Sequence, residues 1–534
     1  MLTAMKVSLA GFNIESDLLA SLVKNRRVVA TPETIAAAYA RISRSAKSVD
    51  ELRQEARREL ERARKSNVTI VFGMGHHSVA EHAVFNLDVT GISRLAVEAI
   101  EHHRLNAYTE RSQRYVKLDE EFVVPEELND YPDLAREFLG VTKVQHAYYR
   151  ELFPKLAAYF RTRTPDALQA ENWAKEDARY VTNLATATQL GMTANARSLE
   201  LMVRALASSD VAEVRKLGKE LYDQVVAIAP SLILFSEPTD YERGTYPRVR
   251  EFAQTFMVPA FPRRPRNFIA LSASDVALVD YTQNADNKLL AALMHSGSNA
   301  SYAECMSRTE KQTLARKKEI LKLACQDMQA YDTALREFEH LSLTFELVLS
   351  ASAFAQLKRH RLMTVTCQPY SPNLGWTIPQ SVAEVKEHKP FKDVLVRTEE
   401  TYERIAAVAP PVAQYVLTNS HQRRVLATVD ARELYHIARL RQDAAAQWDI
   451  RDIACRMVEQ ARHVMPLTLL LACGKDGYAA TYQDLYGRPP AVVKLDLPKP
   501  RAIGEPGAPR AKRGRKAGAP KPVPGDAKTE EQEN

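Results

Sequence analysis

Residues 356–361 read Gln-Leu-Lys-Arg-His-Arg and set a carboxamide, an imidazole and two guanidiniums within six positions. Gln356 and Arg359 stand i, i+3, and Gln356 and His360 i, i+4, so on a helix all three share one face. Guanidinium forks match phosphate oxygens, and a carboxamide beside an imidazole suits the edge of a heterocycle. The bland reading is that cations near a helix C-terminus complement the macrodipole, by a few tenths to about 1 kcal/mol. A similar phrase, IEHHRL, occurs at 100–105, with His102 in place of the first arginine. A third group, GHHSVAEH at 75–82, puts His77 and Glu81 at i, i+4 with His76 and His82 beside them. HExxH is absent and no outlying ligand is evident, so no metal is expected, and His82 reads equally well as a buried, hydrogen-bonded histidine.

The elements that must position these groups occur twice. The text EHAVFNLDVTGISRLAVEAIEHHRLNAY from Glu81 has a partner in EHLSLTFELVLSASAFAQLKRHRLMTV from Glu339. NARSLELMVRAL at 195–206 is likewise echoed by DARELYHIARLR at 430–441, in the same order and at similar separation. A repeat of about two hundred residues is a duplicated domain rather than a solenoid unit. The expected organisation is a first copy over 1–235, a linker over 236–271, a second copy over 272–480 and a tail over 481–534. In the second copy Leu341 to Leu349 alternate with strand period, and ASAFAQLKRHRLM follows as a helix. In the first, Val84 to Val89 predict a shorter strand, ended at Gly91, with a helix from about Ile92. The stretches 130–230 and 380–475, rich in Ala, Leu, Glu and Arg, predict helix. The fold class is α+β: two helix-rich domains, each with a modest sheet.

Bulk properties bound the function. The chain has 534 residues, 45% hydrophobic and 26% charged, enough for two to four domains. No apolar run reaches membrane-spanning length and the N-terminus lacks signal-peptide features, so a cytoplasmic protein is expected. Five widely spaced cysteines without a CxxC pair fit a reducing compartment. Of the net charge of +7, the Pro/Gly/Ala-rich segment from Lys499 supplies +4, so it predicts a disordered tail rather than a basic domain. Its KRGRK at 512–516 suits nucleic-acid phosphates or simply keeps the chain soluble.

GHHSVAEH, GISR at 91–94 and HHRLNAYTERSQRY at 102–115 together resemble the flavin-dependent thymidylate synthase family. The Gln-Leu-Lys-Arg-His-Arg run carries that family's Arg-His-Arg signature, and AQWDIR at 446–451 resembles its late-helix motif. The resemblance covers most of residues 60–235 and 275–475. It implies a central, mostly antiparallel sheet in each copy. It implies methylation of dUMP to dTMP, with FAD as cofactor and methylenetetrahydrofolate and NADPH as co-substrates. It also implies sites shared between subunits of a tetramer, here a homodimer of duplicated chains. The cysteine-dependent thymidylate synthases are unrelated, and no cysteine here has their Pro-Cys-His setting.

Carried over position by position, the resemblance divides. The first copy keeps the nucleotide loop (Glu110, Arg111, Ser112, Gln113, Arg114) and a mid-helix arginine, Arg179, but has Ala99, His102 and Leu206 where Gln, Arg and Arg belong. The second keeps Gln356, Arg359, His360, Arg361 and Arg441, but has Cys367, Pro369 and Ser371 in the loop and Gln414 at the mid-helix place. Each copy has lost the half-site that the other kept, which predicts one complete composite nucleotide site and one dead one. The dUMP residues would be Gln356, Arg359, Arg179 and the 110–114 loop, with Arg441 catalytic at the uracil edge. The FAD residues would be Ser78, Glu110, Arg359, His360, Arg361, Asn195, Arg197, Arg432 and His436. Asp430 replaces a family asparagine and would repel phosphates unless Arg432 pairs with it. The competing reading is a silent relative that binds flavin or nucleotide, or a scaffold.

Overall fold

In the computed structural model, which describes residues 3–16, 18, 30–118, 120–257 and 275–492, alternating side chains build two sheets of the same topology. Strands β1 (Lys6–Phe12), β2 (Val84–Ser93), β3 (Ala107–Glu110) and β4 (Ala187–Asn195) form the first, in the antiparallel order β1-β2-β4-β3. On β2, Phe85, Leu87 and Val89 are buried while Asn86 and Asp88 face out. The helices of this half include α1 (Arg94–Glu101), α2 (Pro132–Arg161), α3 (Ala167–Ala178), α4 (Ala196–Ala207) and α5 (Ala212–Val226), preceded by three between Glu33 and Asn67. Helix α6 (Asp240–Phe256) follows. The second half repeats the plan with β5 (Asp275–Tyr281), β6 (Ser342–Ser350), β7 (Thr364–Cys367) and β8 (Gln422–Asp430), in the order β5-β6-β8-β7. It carries helices α7 (Ala351–Leu357), α8 (His388–Val408), α9 (Ala431–Arg441) and α10 (Trp448–Val464), and α11 (Tyr478–Tyr486) closes the described chain.

Several sequence expectations need correction. Gly91 does not end β2. It is a bulge with φ +70°, and the strand runs on to Ser93 before α1 starts at Arg94. The stretches read as helix contain β4 and β8, the strands that join β2 to β3 and β6 to β7. Their short alternations, flanked by long helical patterns, are overridden by pairing along the whole of β2 and β6. Helix α7 stops at Leu357, so Arg359–Arg361 stand past its end rather than within it. Within the expected linker, α6 forms with a Thr239/Glu242 capping box, whereas FPRRPR at 261–266 lies outside the described residues. Helix α11 overlaps the start of the expected tail, and KRGRK also lies outside the described residues.

The halves share their interior. Leu152 and Leu156 of α2 pack with Trp376, Ile378, Phe391 and Leu395, and Phe138 and Val141 with Ile405, Val412 and Val416. The backbones also pair. Leu184 N–H donates to Leu417 O at 2.9 Å, Ala185 N–H to Tyr415 O at 3.0 Å, and Asn419 N–H to Thr182 O at 2.9 Å. Asn183 bridges Thr418, its own counterpart in the duplication, so the pseudo-twofold axis passes between them. Nearby Asp177 accepts from Ser381 Oγ at 2.5 Å and Trp448 Nε1 at 2.8 Å. No helix among the described residues is long and apolar enough to cross a membrane.

Two predictions follow from this frame. At Gly91 a Cβ would run into the Ala4 carbonyl oxygen at a φ that branched residues avoid, so Gly91→Val should cost at least ~2 kcal/mol, read as a lowered melting temperature. Burial pushes the Asp177 carboxyl up to about 6, against an unfolded value of about 4. The folded chain therefore holds a proton that the unfolded chain releases, and stability falls as pH rises from about 4 to 6 and stays lower above. Asp177→Asn should raise the melting temperature at pH 8, by about 1–3 kcal/mol of stability, and lose that advantage near pH 4.5.

Candidate functional site

Ser93 ends β2 and caps α1 by accepting from Ala96 N–H, and Ser350 ends β6 and caps α7 the same way through Ala353 N–H. These caps fix where the two signature helices leave their sheets. Beyond β3, the chain from Glu110 to Tyr115 turns toward the second half. The result is a cavity lined by Arg94, Glu110, Arg111, Ser112, Gln113, Arg114, Tyr115 and Arg179 from the first copy. Ala355, Gln356, Arg359 and Arg441 line it from the second. All the residues expected to bind dUMP, and Arg441 with them, thus meet in one place within one chain. Arg179 stands in a turn just past the end of α3, not in mid-helix.

Six arginines face this cavity against one lining carboxylate. That carboxylate, Glu110, is spoken for: it pairs with buried Arg94 and lies 3.7 Å from the Arg359 guanidinium. Burial opposes its charge, but Arg94, Lys358 and Arg359 hold its carboxyl below the usual range. Arg114 is braced from behind by Glu176 at 2.5 Å and by the Ala445 carbonyl at 3.0 Å. Gln356 donates to Gln447 Oε1 at 3.3 Å, and its carbonyl accepts from Arg441 NH2 at 3.0 Å. Arg441 Nε donates to His360 Nε2 at 3.0 Å, and His360 Nδ1 lies 3.0 Å from Glu433 Oε1. Burial, then Arg359 and Arg114, pushes the Arg441 guanidinium down to about 10. Burial also lowers Arg179, and Arg114 and Arg94 add to it. Among the described residues, Arg179 NH2, Arg94 Nε and Gln113 Nε2 are buried donors without a partner. Orphaned donors among arginines that outnumber the lining carboxylates fit an anion with several acceptor oxygens, such as a phosphate.

The expected flavin residues scatter. Glu110 and Arg359 line the cavity and His360 stands behind it, whereas Arg361 crosses to the Asn106 carbonyl. Arg432 pairs with Glu339, and with His436 it lines a neighbouring cavity that also holds Arg439 and Lys475. Asp430 does not pair with Arg432. It caps α9 through Glu433 N–H at 2.7 Å, as Asn195 caps α4 through Ser198 N–H at 2.8 Å, so the exchange of Asn for Asp conserves the cap. Asn195 pairs with Val84 and Ala187 with Ser93, so Asn195 lies about 30 Å along the sheet from the start of α1. Arg197, paired with Glu81, and exposed Ser78 belong to that far end, outside the cavity. Among the described residues one grouping has metal-ligand chemistry: His360, Glu433 and His436, with ligand atoms within 4.8 Å of each other. The two nitrogens of His360 already face Glu433 and the Arg441 cation, which disfavours a metal there.

Sequence reasoning missed Arg94, Tyr115 and Glu433. A signal existed for the first: Arg94 corresponds to Ala351 and Glu110 to Cys367, so the second copy lacks both members of the pair. The place related to the cavity by the pseudo-twofold is filled in part, and what stays open beside it is lined by Glu98, His102 and Cys367. Tyr370, fully buried where the first copy has Gln113, donates to Glu98 at 2.8 Å. Arg423 pairs with Glu98 at 2.7 Å and lies 4.3 Å over the Tyr370 ring. Gln414, in Arg179's place, accepts from Tyr370 N–H at 2.9 Å.

Comparison with known proteins agrees with the duplication. Residues 26–231 and again 277–467 match the family described as thymidylate synthase complementing protein. A UPF0159 protein of Chlamydia muridarum is 25% identical over 423 residues, 74% of this chain and 78% of its own. The flavin-dependent thymidylate synthase of Clostridium tetani is 29% identical over 221 residues, 41% of this chain and 87% of its own. That of Mycobacterium tuberculosis is 35% identical over 178 residues, 33% and 70%. Among solved structures, the UMP/dUMP methylase PolB from Streptomyces cacaoi, bound with 5-Br dUMP, aligns at 17% identity and TM-score 0.32, over 43% of this chain and 94% of that one. With two matches spanning most of its length, the chain belongs to the flavin-dependent thymidylate synthase family, as a tandem duplication of that family's domain.

Proposed function

We propose that this protein is a flavin-dependent thymidylate synthase that converts dUMP to dTMP at one composite site per chain. The observation that carries the reading is the set of buried, partnerless donors on Arg179, Arg94 and Gln113, three residues that line a cavity both copies build. The dUMP phosphate would take Arg179, Arg114, Arg359 and Ser112, each charge-assisted bond contributing roughly 1.5–3 kcal/mol. Gln356 would orient the base. Arg441 would face the uracil edge, where a fixed guanidinium stabilises negative charge as ring position 5 becomes nucleophilic. Ser112 would act as a phosphate donor and not as a nucleophile: its Oγ accepts from Arg114 N–H, and among the described residues no imidazole or carboxylate is hydrogen-bonded to it.

FAD would lie beside this site. Arg432, His436 and Arg441 follow one another along α9, a span of about 13 Å at 1.5 Å per residue. Asp430 is turned into its helix cap and does not oppose a flavin. Arg359, half exposed, with His360, Arg361, His436, Arg432 and Glu110, would hold the cofactor. The flavin supplies the hydride that, with methylene from methylenetetrahydrofolate, completes the methyl group, and NADPH would serve as reductant. A second chain would be needed to bring Ser78, Asn195 and Arg197 to that flavin, which supports a homodimer with two sites. The five cysteines are all free, in keeping with a reducing cytoplasm.

The test is the purified protein's visible spectrum, flavin content, dUMP titration and dTMP formation. One dUMP per chain, perturbing bound flavin, with dTMP produced, is expected. Two per chain would overturn the composite site, and no flavin or dUMP binding even with added FAD would leave a non-catalytic relative. Arg441→Ala should lower turnover at least 100-fold with flavin content unchanged. Arg179→Ala should weaken dUMP binding about 10- to 100-fold, whereas His102→Ala, on the filled side, should leave turnover unchanged.

A further inference from the structure

The duplication supplies an internal control for the groups behind Arg441. In the second copy Glu433, His360 and Arg441 form a chain of two hydrogen bonds, each 3.0 Å. The matching positions of the first copy hold Ser198, His103 and Leu206. The histidine is common to both, and the carboxylate stands only where the arginine does. Glu433 and His360 are both buried, 4% and 3% exposed, so neither exchanges its partner for water.

Donor and acceptor roles in this chain are forced. Arginine Nε–H can only donate, so this bond holds only while His360 Nε2 offers its lone pair. His360 then keeps its proton on Nδ1, which faces the Glu433 oxygen. The opposite tautomer would set two N–H groups against each other at Arg441 and two acceptors against each other at Glu433. Burial and the Arg441 charge depress the His360 imidazole to about 3, which keeps the ring neutral at working pH. The far end of Arg441 is anchored by the Gln356 carbonyl at 3.0 Å, so the guanidinium is held at two points and its plane is set.

We infer that Glu433 is a positioning residue for this enzyme: by fixing the Nδ1–H tautomer of His360 it aims the Arg441 guanidinium into the nucleotide cavity. The inference rests on the proposed role of Arg441 but concerns a bond whose state can be read without turnover. Glu433 touches neither cavity nor nucleotide, so its loss should lower kcat while sparing the phosphate grip of Arg114, Arg179 and Arg359.

The experiment is nitrogen-15 solid-state NMR of histidine-labelled full-length protein, with His360 assigned by the resonances lost in His360→Gln, together with steady-state kinetics. Wild type should show a neutral, Nδ1-protonated His360. Glu433→Gln keeps an acceptor and should keep that tautomer, with kcat within about fivefold of wild type. Glu433→Ala and Glu433→Ser should give mixed tautomers and lower kcat about 10- to 100-fold, with KM for dUMP within about threefold. In a double-mutant cycle, Glu433→Ala should add less than about twofold to the loss caused by His360→Ala. An unchanged His360 signal in Glu433→Ala, or fully additive losses, would overturn the inference. So would equal damage by Glu433→Gln and Glu433→Ala, or loss of flavin and of KM together with kcat. If wild type makes no dTMP but the tautomer responds as stated, the proposed reaction fails and the positioning role stands.

Discussion

Everything at the cavity depends on the antiparallel pairing of residues 180–185 with 415–420 across the pseudo-twofold axis. Arg179 lies one residue before that pairing begins, and its carbonyl accepts from Asn419 Nδ2 at 3.0 Å. The same seam bonds Tyr180 Oη to Asp449 at 2.9 Å and Gln447 to Tyr180 Oη at 3.0 Å. Gln447 in turn holds Gln356. The two half-sites are thus tied to each other through backbone and buried polar bonds, not through exposed side chains that thermal motion would loosen. Such networks are specific because each broken member leaves a buried group unsatisfied.

The cavity keeps a cost that the fold does not relieve. Arginines crowded in a partly buried space repel one another, and Arg179 is dehydrated without a carboxylate of its own. An uncompensated buried charge costs several kcal/mol. At the other pseudo-equivalent place that cost is gone. Gln414 replaces Arg179 and finds a backbone partner, and Arg423 is neutralised by Glu98 and covered by the Tyr370 ring. Burial opposes the Arg423 charge, but Tyr370 and Glu98 outweigh it and keep the guanidinium firmly charged. A bound anion would relieve the crowding on one side, whereas the other side is neutralised within the chain.

The fold class and the two sets of residues that meet in the cavity were legible because they rest on residue identity at matched positions of a repeat. Glu110, Arg114, Gln356 and Arg441 could be placed from text alone, since each has a counterpart that changed. The central strands β4 and β8 were not legible. Nine residues of alternation between long helical segments look like helix until a partner strand is known, and β2 and β6 are that partner. Arg94 was hidden because a buried ion pair links positions that no local spacing connects. Glu433 was hidden for the opposite reason: on the sequence it is one more acid in the first turn of a helix, a common place for it. The bulge at Gly91 shows the limit of punctuation rules, because a glycine that looks like a break carries the strand onward into α1.

A gene-fused pair of domains is free to differ where a symmetric assembly is not. In a homo-oligomer each subunit must supply both halves of the site, so an Arg179 and an Arg441 are obligatory in every copy. Once the copies are joined, each position needs to serve only one site. The charges no longer required can be exchanged for pairs that pack. Leu206 in Arg441's place is buried in the first core at 2% exposure, and Tyr370 fills space that the other side leaves open. The asymmetry therefore has a physical direction: repulsive, dehydrated arginines are kept where an anion would repay them and replaced by apolar or paired groups where none would bind. A chain that bound no anion there would feel the same pressure at both places and would have no reason to retain six arginines at one of them.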